Sequence, residues 1–194
     1  MAAGPERGGG LRIIAGRWRS RKLVVPPVAG LRPTPDRVRE TLFNWLAPQL
    51  PGSRCLDLFA GSGALAFEAL SRGAREAVLV ESEPQALAQL RASAALLAAT
   101  GAHIVAADAL GYLAGPVEPF DIAFLDPPYQ AGLLAPACEA LAGRGWLRAG
   151  ALVYLETASD QVPVMPAGWH LHRSKQAGQV GYHLVQVQNG APGP

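Results

Sequence analysis

The sequence predicts an α/β protein with a mostly parallel seven-stranded sheet and helices on both faces of the sheet. Four apolar runs of strand length each end in an acidic residue and alternate with helical segments, a pattern typical of a doubly wound parallel sheet. A glycine-containing turn joins the first run to a helix. A fifth strand at 151–156 and a closing antiparallel hairpin of strands 169–175 and 182–187 complete the sheet.

The chain divides into four predicted segments. Residues 1–10 and 189–194 are rich in Gly and Pro, and we expect them to be disordered tails. Residues 11–33 form a basic arm that contains a small β-hairpin around Gly16. Residues 34–188 form the α/β domain.

Positive charge is concentrated in the arm. Residues 1–40 hold nine Lys/Arg and three Asp/Glu, a net charge of +6. The remaining residues hold eight Lys/Arg and twelve Asp/Glu, a net charge of −4, so the whole chain has a net charge of +2. Cations contact phosphate and an aromatic ring can stack on an unpaired base, which favours nucleic acid as the partner. The predicted contacts are Arg12, Arg17, Trp18, Arg19, Arg21, Lys22, Arg32 and Arg37. A solvated hairpin that Trp18 anchors to the body is the alternative.

The first helix of the domain follows the arm. Thr34 is its predicted N-cap and Pro35 its first residue, because both types are favoured there. Its apolar stripe, which docks the helix on the sheet, consists of Val38, Leu42, Trp45 and Leu46. Off that stripe lie Arg37, Arg39 and Glu40.

A glycine loop follows the first core strand, predicted at 53–59. Gly61 and Gly63 permit a tight turn and let backbone N–H groups approach a ligand at the helix N-terminus. The G-x-G-x-x-A pattern also fits a dinucleotide-binding loop. Asp57 argues against a pyrophosphate, since a carboxylate at the end of the strand would repel it.

Acidic residues end four successive predicted strands. They are Asp57, Glu81, Asp108 and Asp126. In a doubly wound sheet the carboxyl ends of the strands line one crevice, and an acid after the second strand is the usual partner of ribose hydroxyls. Asp108 also fits the simpler role of a helix N-cap. An acidic crevice suits a ligand with a cationic centre, a ribose and an adenine amine, and S-adenosylmethionine has all three.

The tetrapeptide Asp126-Pro127-Pro128-Tyr129 closes the fourth apolar run, 122–125. The prolines fix φ and remove two backbone donors, so the loop is rigid and its carbonyls are free to accept hydrogen bonds. Tyr129 offers a flat face for a base. A carboxylate, a rigid carbonyl and a stacking ring together predict chemistry on the exocyclic amine of a nucleobase. A Pro-Pro turn with Tyr129 packed on the core is the structural alternative.

Composition excludes several classes of protein. No apolar run approaches the 18 residues that span a bilayer, and the first residues lack the apolar stretch of a secretory signal. Cys55 and Cys138 are predicted to be buried small apolar residues in a reducing cytosol. The four histidines form no cluster with cysteines, so we expect no metal site. The expected protein is a cytoplasmic monomer without an obligate protein partner.

These motifs together resemble those of the RsmD family. Members of this family are class I (Rossmann-like) S-adenosylmethionine-dependent methyltransferases. The resemblance covers roughly residues 11–187, and its most specific part is N-terminal. It is carried by Leu11–Leu23, Leu31–Trp45, DLFAGSG at 57–63, Glu81, DPPY at 126–129 and GQVGY at 178–182. Family members methylate the exocyclic N2 amine of one guanine in bacterial 16S rRNA, which implies 16S rRNA as partner, within the assembled or assembling small subunit.

The resemblance assigns roles to residues of this chain. Donor-binding residues would be Asp57, Phe59, Ala60, Gly61, Ser62, Gly63, Glu81, Asp108 and Ala109, and catalytic residues Asp126, Pro127, Pro128 and Tyr129. We expect Asp126 to stay ionised and, with the carbonyl of Pro127, to accept the amine hydrogens. Three alternatives remain: a DNA adenine or cytosine amino-methyltransferase, an NAD-dependent oxidoreductase, and a catalytically silent RNA-binding module.

Overall fold

The computed structural model describes residues 11–23, 34–128 and 132–188. The two predicted tails, 1–10 and 189–194, lie outside the described residues. So do Arg32 of the arm and the predicted stacking residue Tyr129.

Seven strands form the main sheet, in the order β5-β4-β3-β6-β7-β9-β8. The strands are β3 (Arg54–Asp57), β4 (Glu76–Glu81), β5 (Ala102–Ala106), β6 (Phe120–Leu125), β7 (Leu147–Ala158), β8 (Trp169–Ala177) and β9 (Val180–Val187). The first five are parallel, and β9 pairs antiparallel with both β7 and β8. The predicted doubly wound sheet with its antiparallel C-terminal hairpin is confirmed.

Helices cover both faces of this sheet. They are α1 (Asp36–Leu46), α2 (Ala64–Ser71), α3 (Pro84–Leu96), α4 (Ala109–Ala114) and α5 (Leu134–Gly143). The buried apolar residues of α1 and α2, with Leu90 of α3, belong to one apolar cluster, and those of α4 and α5 belong to a second. None of the helices in the described ranges is long and apolar enough to cross a membrane.

The central strands separate the two clusters. Cys55, Ile122 and Phe124 face the first cluster, whereas Leu56 and Ala123 face the second. Side chains alternate across a strand, so a strand that is buried on both faces needs an apolar residue at nearly every position. This explains why the apolar runs in the sequence are continuous. Cys55 and Cys138 are both buried free thiols, as predicted.

A two-stranded hairpin precedes the main fold. Its strands, β1 (Leu11–Arg12) and β2 (Lys22–Leu23), pair antiparallel, which confirms the predicted N-terminal hairpin. Four of its side chains enter the first apolar cluster: Leu11, Ile13, Trp18 and Leu23. The hairpin therefore packs on the body through a shared core.

Candidate active site and its basic hairpin

The four predicted acids lie at one edge of the sheet, on adjacent strands. Asp57 and Glu81 end β3 and β4, Asp126 directly follows β6, and Asp108 lies two residues beyond β5. The sheet order places these strands side by side. We call this the acidic edge; its existence was predicted correctly.

Glu81 joins the glycine loop to the loop after β4. Its Oε2 accepts a hydrogen bond of 2.8 Å from the Gly61 amide. Its Oε1 accepts bonds of 2.8 Å from the amides of Ser82 and Glu83. Three backbone donors therefore fix the orientation of this carboxylate at the acidic edge. Its contact with ribose remains a prediction.

The glycine loop requires glycine for packing as well as for ligand approach. Gly63 precedes α2 with φ of 76°, in the left-handed region that glycine favours. A Cβ on Gly63 would lie 2.5 Å from Cε2 of Phe67 and 2.7 Å from Cδ2 of Leu90. Of the remaining loop residues, Ala60 and Ser62 are buried and Phe59 is half-buried. The backbone is therefore held tightly against α2 and α3.

Asp57 is buried at the centre of the acidic edge. Burial, with a smaller contribution from the charge of Glu81, raises the pKa of its carboxyl to about 7 against an opposing hydrogen bond from the Ala66 amide. An acid with such a pKa binds a proton near neutral pH in the ligand-free protein.

Asp126 lies in a similar environment. Burial raises the pKa of Asp126 well above its ordinary value, the charges of Glu156 and Asp57 add to the effect, and a hydrogen bond from Thr34 opposes it. These surroundings oppose the ionisation of Asp126 that the sequence analysis expects, and its ionised state remains a prediction. The acid holds its proton to a higher pH than an exposed aspartate does.

Glu156 is a fifth acid of this edge that the sequence analysis missed. It is 5% exposed near the end of β7, and its Oε1 accepts hydrogen bonds from Tyr154 Oη at 2.7 Å and Thr34 Oγ1 at 3.1 Å. A signal was present, because the predicted fifth strand, like the four before it, ends in an acid. Glu156 is thus part of the surroundings of Asp126.

Thr34 has a different role from the one predicted. The N-cap of α1 is Pro35, no side chain caps this helix, and the Thr34 hydroxyl contacts Glu156 instead. Pro35 is extended, with φ of −56° and ψ of 146°, so Thr34 lies before the helix and over the end of the sheet. The N-cap prediction is wrong, and Thr34 belongs to the site.

Asp108 caps α4. Its Oδ1 accepts a hydrogen bond of 2.8 Å from the Gly111 amide, which confirms the simpler of its two predicted roles. The carboxylate is exposed and Ala109 beside it is buried. Contact between Asp108 and an adenine amine stays a prediction.

Glu68 of α2 holds the N-terminal hairpin in place. Its carboxylate is fully buried and accepts hydrogen bonds from the amides of Ile14 at 2.7 Å and Ala15 at 3.0 Å. Arg72 Nε donates to it at 2.7 Å, and Arg39 Nη1 lies 3.6 Å away. A charged group that binds two amides of the hairpin fixes its backbone on the body.

Ser71 adds a second set of contacts. Its hydroxyl donates to the Ala15 carbonyl at 2.6 Å and accepts from the Trp18 amide at 3.0 Å. The Ser71 carbonyl accepts from the Arg17 amide at 2.8 Å. A Cβ on Gly16 would lie 1.9 Å from that carbonyl oxygen, so only glycine allows this approach. The hairpin tip is therefore fixed to the end of α2.

Arg39, which lies off the apolar stripe of α1, is nevertheless completely buried. Its Nη2 donates to the carbonyl of Arg12 at 2.8 Å and to Asp36 at 2.6 Å. The position of Arg39 on the helix did not indicate this burial, because its contacts come from distant segments, the hairpin and α2.

Among the predicted RNA-binding residues that the structure describes, burial distinguishes Trp18 from the basic residues. Arg12, Arg17, Arg19, Arg21, Lys22 and Arg37 are exposed. Trp18 is 9% exposed and packs in the first cluster, with Arg17 Cζ 4.0 Å from its ring centroid. The structure supports the alternative role of Trp18 as an anchor and argues against base stacking by its ring. Within the described ranges, no group of His, Cys, Asp or Glu side chains could hold a metal ion.

Comparison with known proteins agrees with this geometry. The sequence pattern of the family described as Conserved hypothetical protein 95 matches residues 11–186. Ribosomal RNA small subunit methyltransferase D of Escherichia coli strain K12 is 51% identical over 179 residues, which cover 92% of this chain and 90% of that protein. The chain belongs to the RsmD family. The arm, the glycine loop and the acidic edge all lie inside the matched region.

Two further similarities extend across the chain. The RsmD-family protein of Haemophilus influenzae, also named ribosomal RNA small subunit methyltransferase D, is 44% identical over 186 residues, covering 94% of this chain and 96% of that one. The solved structure of yhhF from Escherichia coli is 48% identical, has a TM-score of 0.86, and covers 93% of this chain and 99% of its own. Fold and sequence therefore agree on the family.

Proposed function

We propose that this protein transfers a methyl group from S-adenosylmethionine to the exocyclic N2 amine of a guanine in 16S rRNA, in the bacterial cytoplasm. The observation that carries the proposal is that Glu81, the glycine loop and Asp126-Pro127 follow or end three neighbouring strands, β4, β3 and β6, at the acidic edge. Membership of the RsmD family supports the same reaction and disfavours the DNA-methylating and NAD-dependent alternatives.

The acidic edge fits a cationic donor. Burial raises the pKa values of both Asp57 and Asp126, with the charge of Glu81 adding to the shift of Asp57 and the charges of Glu156 and Asp57 adding to that of Asp126. A bound sulfonium would supply positive charge to this edge, together with the electrophilic methyl group that is transferred. Glu81 would accept from ribose hydroxyls and Asp108 would face the adenine amine, while residues 59–63 would approach the donor through their backbone. Ala109 would line the adenine side.

Orientation of the acceptor amine would be the main catalytic contribution of the chain. The lone pair of a guanine amine is delocalised into the ring. Asp126 and the Pro127 carbonyl would accept both amine hydrogens and direct the lone pair at the methyl group, with Pro128 keeping the loop rigid. Positioning of this kind can supply about 7–11 kcal/mol of the barrier. Tyr129 would stack on a base that has been turned out of the RNA.

The surroundings of Asp126 suggest where the proton goes. Methylation makes the amine acidic, so a base is needed only after transfer. A carboxyl whose pKa is raised by burial and by Glu156 is a better proton acceptor than an ordinary aspartate. Asp126 would therefore orient the amine first and take its proton afterwards.

The proposed function is tested with the donor and the acceptor separately. S-adenosylhomocysteine should stabilise the protein by about 2.7 kcal/mol at a hundred times its Kd. NAD should have little effect on the melting temperature. Small ribosomal subunits that lack the modification should gain N2-methylguanine, detected by nucleoside analysis after incubation with the donor. Stabilisation by NAD alone, or N6-methyladenine as the product, would contradict the proposal.

The basic hairpin would contact the RNA backbone. Its exposed cations are Arg12, Arg17, Arg19, Arg21 and Lys22, and Arg37 is a further exposed cation in the first turn of α1. Arg32 belongs to the proposed set, whereas buried Trp18 would hold the hairpin in shape rather than touch a base. Because so short a hairpin cannot fold the RNA itself, we propose that the substrate is 16S rRNA within the assembled or assembling small subunit.

Neutralising the hairpin should weaken RNA transfer selectively. Replacing Arg17, Arg19 and Arg21 with glutamine should lower kcat/KM on small subunits. The slope of log(kcat/KM) against log salt concentration should become shallower by roughly one for each phosphate contact that is lost. The control replaces Arg75, Arg91 and Arg148, which are exposed and lie elsewhere on the body. Equal losses in both triple variants would show that only net charge matters.

A further inference from the structure

A concave basic surface lies beside the acidic edge, between α1 and the C-terminal hairpin. This basic pocket encloses about 380 Å³ and is lined by Arg37, Thr41, Lys175, Gln176, Ala177, Gly178 and Tyr182. Its floor is aromatic, because Tyr182 stacks on Trp45 with ring centroids 5.6 Å apart, and Lys175 Nζ lies 5.9 Å from the Trp45 ring. The floor holds the polar wall in position.

The pocket carries uncompensated positive charge. Arg37 and Lys175 are exposed, and neither forms an ion pair with any acid in the described part of the chain. The Gln176 amide has two N–H groups and donates one of them to the Ser159 carbonyl at 2.6 Å, whereas the single hydroxyl hydrogen of Thr41 is donated to the Arg37 carbonyl at 3.0 Å. A second cavity of about 390 Å³ at the amino ends of the strands differs, because its Arg148 is paired with Asp121 at 2.8 Å. The basic pocket is therefore suited to an anion.

Two chain segments connect this pocket to the acids. Glu156 of the acidic edge is directly opposite Tyr182 of the pocket in the pairing of β7 with β9. Thr34, which contacts both Asp126 and Glu156, is three residues before Arg37, a backbone reach of at most about 11 Å. A strand of RNA covers such a distance with roughly one to three nucleotides.

We propose that the basic pocket binds a backbone phosphate of the RNA strand next to the target guanine. This inference rests on the proposed function and adds the C-terminal hairpin, through Lys175 and Gln176, to the RNA-binding surface. Arg37 and Lys175 would bind the phosphate, the second N–H of the Gln176 amide would donate to one of its oxygens, and the base beside it would be directed toward Asp126. A phosphate carries no sequence information. The pocket would therefore fix the position of the RNA strand on the protein, and the base would be selected at the acidic edge.

The test removes both cations of the pocket at once. In Arg37→Gln/Lys175→Gln, KM for small subunits should rise roughly tenfold at 0.1 M salt, with kcat close to wild type. The slope of log(kcat/KM) against log salt concentration should become shallower by about one to two. Stabilisation by S-adenosylhomocysteine and the melting temperature should not change, because both side chains are exposed. The matched control is Arg75→Gln/Arg148→Gln, which removes the same charge at the opposite edge of the sheet.

The outcomes separate this inference from the proposed function. If the pocket variant loses no more than the control, or if kcat falls while KM and the salt dependence stay unchanged, the phosphate site is refuted. If the wild-type protein methylates no small subunit at all, the proposed function fails. Binding of the same subunits over a range of salt concentrations then decides the inference, which survives only if the pocket variant binds more weakly than the control.

Discussion

Asp126→Ala is expected to reduce methyl transfer by roughly 10²–10⁴-fold, the usual range for losing a positioned group that handles a proton. The carboxylate would accept an amine hydrogen and later the proton, and no other acid directly follows β6. Steady-state transfer to small subunits and donor affinity, measured in parallel, check this result. Donor affinity should stay within a few-fold, because Asp126 faces the base.

Glu81→Ala provides the contrast for this measurement. Glu81 is bound to the glycine loop through the Gly61 amide, so its removal should weaken binding of the donor itself. A fully active Asp126→Ala protein would overturn the proposed mechanism. So would a variant in which transfer and donor affinity fall in parallel, since Asp126 would then belong to the donor site.

The Asp126 variant should also fold at least as stably as the wild type at pH 8. The pKa of Asp126 is raised in the folded protein by burial, Glu156 and Asp57, so ionising it costs folding free energy. Below about pH 4 the folded and unfolded states are both protonated and no cost arises. The cost grows as pH rises from the unfolded pKa toward the raised folded pKa and stays constant above it, so the variant should gain relative stability over that range. Denaturant unfolding at pH 5 and pH 8 measures the difference.

Glu68→Ala is expected to lower the free energy of unfolding by about 3–5 kcal/mol, because it leaves the buried guanidinium of Arg39 without its buried counter-charge. The side chains of Glu68 and Arg39 are both 0% exposed. Two amides of the hairpin, Ile14 and Ala15, lose their acceptor in the same variant. Urea unfolding gives the energy, and hydrogen exchange at these amides should accelerate.

Glu118→Ala serves as the matched control for that loss. Glu118 also pairs with an arginine, Arg54, but its side chain is 71% exposed, so its removal should cost less than about 1 kcal/mol. If Glu68→Ala fails to fold, Glu68→Gln keeps one acceptor oxygen for the hairpin amides and allows the measurement. A loss as small as the control's would show that Glu68 does not hold the hairpin.

Much of the fold could be predicted because its signals are local in the sequence. Strands buried on both faces appear as continuous apolar runs, and an acid that ends each strand must lie at the carboxyl edge of a parallel sheet. The same logic applied to Glu156 would have identified the fifth acid. Gly61 and Gly63 were likewise recognised from spacing alone.

Several features were decided by contacts between distant parts of the chain. Thr34 bonds with Glu156 across 122 residues, and Ile14 bonds with Glu68 across 54. The residue type and the following proline predicted that Thr34 caps α1, but in the folded protein its hydroxyl bonds with Glu156 of the sheet instead. Arg39 is buried because the hairpin covers it. The residue pattern within α1 could not predict this burial, because the covering residues belong to another segment of the chain.

By itself the sequence determined the sheet, the acidic edge, the glycine loop and the family, since each depends on short-range pattern and residue type. Only the tertiary structure decided the burial of Trp18, the raised pKa values of Asp57 and Asp126, and the basic pocket. The physical reason is that desolvation and charge coupling depend on which groups meet in space. Arg37 and Lys175, far apart in the chain, form one site only after α1 and the C-terminal hairpin have packed together.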